Sequence, residues 1–90
     1  MVHVRFTRNI QRHVECPDAE VAGATVRAAL DAYFTGRDAR ARGYVLDEQG
    51  AVRPHMNVFV DGRPVSDRAS LADPVGPGGT IDVMQALSGG

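Results

Sequence analysis

The sequence contains no lysine and no tryptophan, and it has a single cysteine among its 90 residues. All ten basic residues are arginines, so no side-chain amine is available as a Schiff-base nucleophile or as an acylation target. Cys16 alone cannot form an internal disulfide. The three histidines, His3, His13 and His55, lack the close spacing of metal ligands. We therefore predict no metal site, and nothing around Cys16 resembles a catalytic signature.

Charge and hydropathy argue against two further classes of partner. A formal net charge of −1 lacks the basic excess that nucleic-acid binding normally needs. No apolar run approaches the roughly 18 residues of a membrane-spanning helix. Residues 1–6 also lack the basic and apolar regions of a secretory signal. We expect a cytoplasmic protein that has neither a nucleic-acid nor a membrane partner.

The first third of the chain predicts two strands and a helix. Residues 2–7 alternate between apolar and polar types, which predicts a half-buried strand. Residues 8–14 could return as its hairpin partner, or a strand could form near residues 18–22. Pro17 favours the later strand because it cannot donate to a ladder. A helix then begins after Thr25 as N-cap and ends near Gly36. Its apolar stripe consists of Val26, Ala29, Leu30, Tyr33 and Phe34.

The remainder reads as loops and short strands. Residues 37–42 are rich in arginine and predict a solvated loop, and residues 43–46 predict a short strand. A strand over residues 57–60 is closed by Asp61 and Gly62, a hairpin dipeptide. The glycine-rich residues 76–79 predict a turn, because no helix or lysine follows to complete a phosphate-binding loop. The last strand is predicted over residues 80–87.

This order of elements predicts one α+β domain with a mixed sheet and one main helix across one face. Pairing of the last strand beside the first buries both apolar edges, which is the β-grasp arrangement. We predict a β-grasp domain over residues 1–87 and a flexible, extended C-terminal tail over residues 88–90.

The tail ends in Gly89 and Gly90, directly after a predicted core strand. Glycine has no side-chain bulk and adopts backbone angles closed to other residues, so such a tail could enter a narrow enzyme tunnel. A carboxylate is a poor electrophile until it is adenylated, after which a sulfur nucleophile can displace AMP. The pattern indicates a carboxylate on which other enzymes act.

Three segments resemble the MoaD/ThiS sulfur-carrier family, which includes the molybdopterin synthase small subunit, the thiamine-pathway carrier and a cysteine-synthase carrier. They are residues 25–30 (TVRAAL), 57–62 (NVFVDG) and 79–90 (GTIDVMQALSGG). The resemblance implies a ubiquitin-like β-grasp fold and a carrier that is not itself an enzyme. It also implies three partners: a ubiquitin-activator-like adenylyltransferase, a sulfur donor and a sulfur-accepting synthase. The chain would hold no cofactor, and the activating enzyme would use ATP and magnesium.

The family pattern also implies roles for individual residues. The carboxylate of Gly90 would be the adenylate and thiocarboxylate site, and Leu87, Ser88 and Gly89 would form the tail bound by partners. Met84, and less directly Phe6 and Pro64, match bulky positions on the partner-facing surface; each can also be interpreted as a core or turn residue.

Departures from the family pattern bear on the pathway. Gly78 and Gly79 stand where many members have Gly-Asp, and residues 86–88 lack the usual proline-containing approach to the tail. Extra length around residues 37–53 disfavours the thiamine branch. Molybdenum cofactor biosynthesis and a cysteine-synthase-like branch both stay open.

Two further hypotheses are a ubiquitin-like modifier that forms isopeptides through Gly90, and a non-catalytic β-grasp interaction module.

Overall fold

The computed structural model describes residues 1–86, which form five strands and three helices around one core. In chain order these elements are β1 (Val2–Phe6), α1 (Arg8–Gln11), β2 (Ala19–Val21), α2 (Val26–Phe34), α3 (Ala39–Val45), β3 (Met56–Val60), β4 (Arg63–Pro64) and β5 (Thr80–Gln85). The predicted tail over residues 88–90, and the predicted end of the last strand at Leu87, lie outside the described residues.

The strands form one mixed sheet in the order β2-β1-β5-β3-β4. The central strand β5 runs parallel to its neighbour β1, with Val4 opposite Ile81 and Phe6 opposite Val83. The other neighbouring strands pair antiparallel. Both the α+β class and the pairing of the last strand beside the first are therefore confirmed.

One face of the sheet packs against the helices and the other is open. Strands β1 and β3 alternate strictly between buried and more exposed positions, as expected when only one face meets the core. The residues on the core face are Val2, Val4, Phe6, Met56, Val58, Val60, Ile81 and Val83.

Helix α2 is the main helix that the sequence predicts, and it lies against β1 and β2. Its N-cap is Thr25, whose Oγ1 accepts the N–H of Ala28 at 3.1 Å. Gly36, just past the end of the helix, has a φ of +80°. A side chain at this position would strain the backbone, so the glycine ends the helix cleanly.

The loop between β4 and β5 is fastened to the start of α2. The N–H groups of Val26 and Arg27 donate to the carbonyls of Asp73 and Leu71, at 3.0 and 2.9 Å. The Arg27 guanidinium also donates to the carbonyl of Ala69 at 3.0 Å. Because no intrahelical carbonyl can reach the first N–H groups of a helix, these bonds satisfy them and hold the loop over the core.

The sequence favoured the later of two positions for the second strand, near residues 18–22, and the structure confirms it as β2, after Pro17. Strand β2 pairs antiparallel with β1, with Val2 opposite Val21. The earlier segment, residues 8–14, does not form a hairpin partner for β1. It begins with the short helix α1, which the sequence did not predict and whose Ile10 enters the core.

Both predictions for residues 37–46 are wrong. The expected loop over residues 37–42 and the expected strand over residues 43–46 are replaced by α3. Asp38 caps this helix by accepting a backbone N–H of its first turn, and Ala41 and Val45 are buried one turn apart. The spacing of four residues between Ala41 and Val45 was the signal for a helix. The arginines and the glycine around them made it hard to recognise.

The turn predictions in the second half are confirmed. Asp61 and Gly62 both have positive φ, 50° and 83°, as a tight two-residue hairpin loop requires, and they connect β3 to β4. Gly78 lies in the predicted turn before β5, with a φ of 78°.

Candidate docking face and tail root

Strand β5 lies in the middle of the sheet and leads toward the predicted tail. It ends at Gln85, and the next residue, Ala86, is the last that the structure describes. The Ala86 N–H donates to the carbonyl of His55 at 2.8 Å. The start of the tail is thus held at one end of the sheet. The tail residues to which the sequence gives a role, Leu87, Ser88, Gly89 and Gly90, lie outside the described residues, and their roles stay predictions.

The open face of the sheet carries an apolar strip across three strands. Met84 of β5 is 40% exposed and lies opposite Asn57 of β3. Phe59, two residues further along β3, lies between Asp82 of β5 and Pro64 of β4. Large side chains at diagonal positions of neighbouring strands are within reach of one another. Met84, Phe59 and Pro64 therefore form a continuous surface, which we call the apolar strip.

Two of the three residues predicted to face a partner are exposed, and the third is not. Met84 and Pro64 both lie on the open face. Phe6 is only 5% exposed, and its ring packs against Tyr33 and Phe34 with centroid distances of 4.9 and 6.2 Å. Phe6 points to the helix side of β1 because of the strand's alternation. It therefore belongs to the core and offers no side-chain surface to a partner.

Phe59 is a surface residue that the sequence analysis did not single out. It is half-buried and lies between Val58 and Val60, which are both buried. Since successive side chains of a strand point to opposite faces, a phenylalanine between two core valines must face outward. That alternation was the available signal.

The other side of the open face, toward β2, is charged. Arg5 of β1 donates through Nε to Asp82 Oδ1 at 2.8 Å, and His3 Nε2 lies 3.9 Å from Glu20 Oε1. The hydrogen bond and the negative charge of Asp82 raise the pKa of Arg5. An apolar strip beside fixed charges suits a protein partner, because charges set orientation while apolar contacts supply affinity.

The three histidines lie in two separate places. His3 is on the open face, whereas His13 and His55 flank the ring of Tyr44. Within residues 1–86, no group of three or more His, Cys, Asp or Glu residues could hold a metal ion. Cys16 is 2% exposed, and burial raises the pKa of its thiol to about 11. At neutral pH this thiol stays protonated, the form that is a poor nucleophile.

No helix within residues 1–86 combines the length and the apolar character needed to cross a bilayer.

Several solved structures have the same fold. A chain in the crystal structure of the Amycolatopsis orientalis BexX/CysO complex matches with a TM-score of 0.78 and 22% identity, over 100% of both chains. Small archaeal modifier protein SAMP1 from Haloferax volcanii matches with a TM-score of 0.72 and 24% identity, over 99% of this chain and 98% of that one. CysO from Mycobacterium tuberculosis matches with a TM-score of 0.78 and 17% identity, over 97% and 100%.

No protein-family model matches the chain, and no curated protein sequence does. The structural matches nevertheless extend over nearly the whole length of each chain. The chain therefore adopts the ubiquitin-like β-grasp fold of these proteins, as its resemblance to the sulfur carriers implies.

Proposed function

We propose that this chain is a ubiquitin-like sulfur carrier whose Gly90 carboxylate is adenylated and then converted to a thiocarboxylate. The observation that carries the proposal is the position of β5. This central strand of a carrier-like and modifier-like fold leads, through Ala86, into residues 87–90, which include Gly89 and Gly90. Strand β5 is paired with both β1 and β3 as far as Val83, and with β3 alone as far as Gln85.

The proposed chemistry has three steps. On the activating enzyme, a carboxylate oxygen of Gly90 attacks the α-phosphorus of ATP, and pyrophosphate leaves with magnesium balancing its charge. A sulfur nucleophile from the donor, written here as hydrosulfide, then adds to the acyl carbon and AMP departs. The product holds a carbon–sulfur bond in place of a carbon–oxygen bond. On the accepting synthase this sulfur bonds to an electrophilic carbon of the acceptor. Water then cleaves the acyl–sulfur bond, which leaves the sulfur on the acceptor and regenerates the Gly90 carboxylate.

The chain itself supplies the surface by which the partner enzymes recognise it. Residues 87–90 can extend at most about 13–14 Å from Ala86, given a reach of about 3.3–3.6 Å per residue. A partner that acts on Gly90 must therefore lie against the body of the protein. The apolar strip lies on the open face, and its member Met84 is on β5, close to the start of the tail. We propose that the strip docks both the activating enzyme and the accepting synthase.

The pathway is a finer proposal. Extra length around residues 37–53 favours a molybdopterin-like or a cysteine-synthase-like branch over the thiamine branch. One structural neighbour was crystallised as the BexX/CysO complex, so a protein of this fold does pair with another chain. The cytoplasm is the proposed setting, because adenylation consumes ATP.

A second candidate is a protein modifier that forms isopeptides through Gly90. The observation in its favour is the structural match to small archaeal modifier protein from Haloferax volcanii. Because this sequence has no lysine, such a modifier could not build lysine-linked chains on itself.

Intact-mass measurement tests both candidates. The protein is incubated with the activating enzyme of its source organism, ATP, magnesium and a sulfur source, with an otherwise identical reaction lacking ATP as control. We expect a mass gain equal to replacing one oxygen by one sulfur, in the ATP reaction only. Higher-mass protein adducts in lysate would instead favour the modifier. A terminus that stays a free carboxylate under all these conditions would contradict both.

A further inference from the structure

Three separate segments meet at the last two described residues. Gln85 Oε1 accepts a hydrogen bond from Asn9 Nδ2 of α1 and another from the Tyr44 hydroxyl of α3, both at 3.0 Å. The Ala86 N–H donates to the carbonyl of His55, in the segment before β3, at 2.8 Å. The contacts of Gln85 join residues 76 and 41 positions apart in the sequence.

Tyr44 is itself held in place from two sides. Its ring stacks on the His13 imidazole, with centroids 5.6 Å apart and an interplanar angle of 24°. The His55 ring meets it edge-on, at 6.4 Å and 81°. A ring fixed by two neighbours keeps its hydroxyl directed at Gln85, so this hydrogen bond costs little side-chain entropy.

These contacts lie where β5 loses a neighbour. Its parallel pairing with β1 ends at Phe6 opposite Val83, and the Thr7 N–H makes a last bond to the Val83 carbonyl. Beyond that point β1 gives way to α1, while pairing with β3 continues to Gln85. A strand end paired on one side only is prone to fraying. The bonds from Asn9 and Tyr44 hold the unpaired side.

We propose that Asn9, Tyr44 and Gln85 form a clamp that fixes the direction in which residues 87–90 leave the protein, and that the clamp positions Gly90 for activation. The inference rests on the proposed function and names positioning residues for it. Gly90 lies four positions after Ala86. Freedom at Gln85 and Ala86 would therefore add to the segment that a partner must order before it acts on Gly90.

Loss of the clamp should act mainly on recognition. Without it, Gln85 and Ala86 join the segment that the activating enzyme must order when it binds. Ordering one backbone residue costs enough free energy to weaken binding about tenfold. We therefore expect a KM for the carrier raised by about tenfold or more, with kcat changed much less, because the bound tail is ordered by the enzyme.

The variants isolate the hydrogen bonds from the packing. Tyr44→Phe removes the hydroxyl and keeps the ring between its two histidines, and Gln85→Ala removes the acceptor. Gln85→Glu is the conservative rescue, since a carboxylate still accepts both bonds. Tyr33→Phe is the matched control: its hydroxyl donates to the carbonyl of Pro17, away from the clamp.

Two measurements decide the proposal. Hydrogen exchange of the Ala86 amide, on the protein alone, should accelerate in Tyr44→Phe and Gln85→Ala and stay near wild type in Gln85→Glu and Tyr33→Phe. ATP–pyrophosphate exchange with the activating enzyme of the source organism should show the KM increase in the same two variants. Unchanged Ala86 exchange would overturn the clamp, and faster Ala86 exchange with unchanged KM and kcat would overturn its role in positioning. An inactive wild-type protein would overturn the proposed function instead, and Ala86 exchange would still decide whether the clamp exists.

Discussion

Leu30 and Met84 are both apolar, but we expect the first to contribute to folding stability and the second to partner binding. Leu30 is fully buried in α2, whereas Met84 is 40% exposed on the open face. We expect Leu30→Ala to lower the free energy of unfolding by about 2–5 kcal/mol, because it leaves a cavity. Met84→Ala should change it by only about 0.5 kcal/mol, as is usual for surface substitutions. Urea unfolding of both variants measures this difference.

Binding should show the reverse order. Truncation of an apolar residue at the centre of an interface commonly costs more than about tenfold in affinity. We expect that loss for Met84→Ala with the activating enzyme, measured by titration calorimetry. Wild-type affinity in this variant would remove Met84 from the proposed docking surface.

Two buried acids predict a loss of stability at high pH. Burial raises the pKa of the Cys16 thiol from 9.0 to about 11, and that of the Tyr33 hydroxyl from 10.0 to about 12. Both groups lose their protons more easily in the unfolded chain. Their contribution is therefore complete below pH 9 and declines as the pH rises through the range from 9 to about 12.

Urea midpoints measured across this pH range should fall steadily for the wild-type protein. Tyr33→Phe removes one titrating group, so its midpoint should fall less steeply above pH 10. A wild-type midpoint that is flat up to pH 11 would contradict the buried, protonated state of Cys16.

At the scale of elements, the N-cap of α2 is the clearest local determinant. The Thr25 hydroxyl accepts the Ala28 N–H, and no other cap satisfies that group among the described residues. Thr25→Ala should therefore lower stability by about 1 kcal/mol, and Thr25→Ser should retain most of it. Thermal unfolding compares the two variants. Equal losses in both would show that the methyl group matters more than the hydroxyl.

Elements with strong periodicity could be predicted from the sequence, and those that depend on distant contacts could not. Strand β1 and helix α2 carry clear patterns of period two and 3.6, and Asp61 with Gly62 marks its hairpin unambiguously. Helix α3 was missed because Asp38, its cap, lies within an arginine-rich stretch that also fits a loop. Helix α1 has four residues, too few for any period to be recognised.

The candidate site divides in the same way. The resemblance to the sulfur carriers implied that Met84 and Pro64 face a partner, or else belong to the core or a turn. Both lie on the open face, and their contact with a partner stays a prediction. Phe6 was matched to a partner-facing position, but it faces the core. A bulky residue on a strand can face either the core or a partner, and the side of the sheet on which the helices pack decides which. The clamp could not be predicted at all. It joins Asn9, Tyr44 and Gln85, which no local pattern relates.

At the scale of the whole molecule, the fold and the proposed reactive end should be separable. Among residues 1–86 the members of the core cluster lie between Val2 and Val83, and a glycine at position 90 has no side chain to add to a core. We expect deletion of Gly90 to abolish adenylation and leave the melting temperature nearly unchanged. Pyrophosphate exchange and thermal unfolding of the same sample test this. A large drop in melting temperature would show that Gly90 supports the fold.

Central placement of β5 also has a consequence for synthesis on the ribosome. The strand is made from residues 80–85, yet it is the one that joins β1 to β3 in the sheet. Until it has left the exit tunnel, the two halves of the sheet have no common neighbour to pair with. A nascent or truncated chain that lacks β5 therefore cannot complete the docking face. Partners would therefore meet a complete docking face only on chains that contain β5.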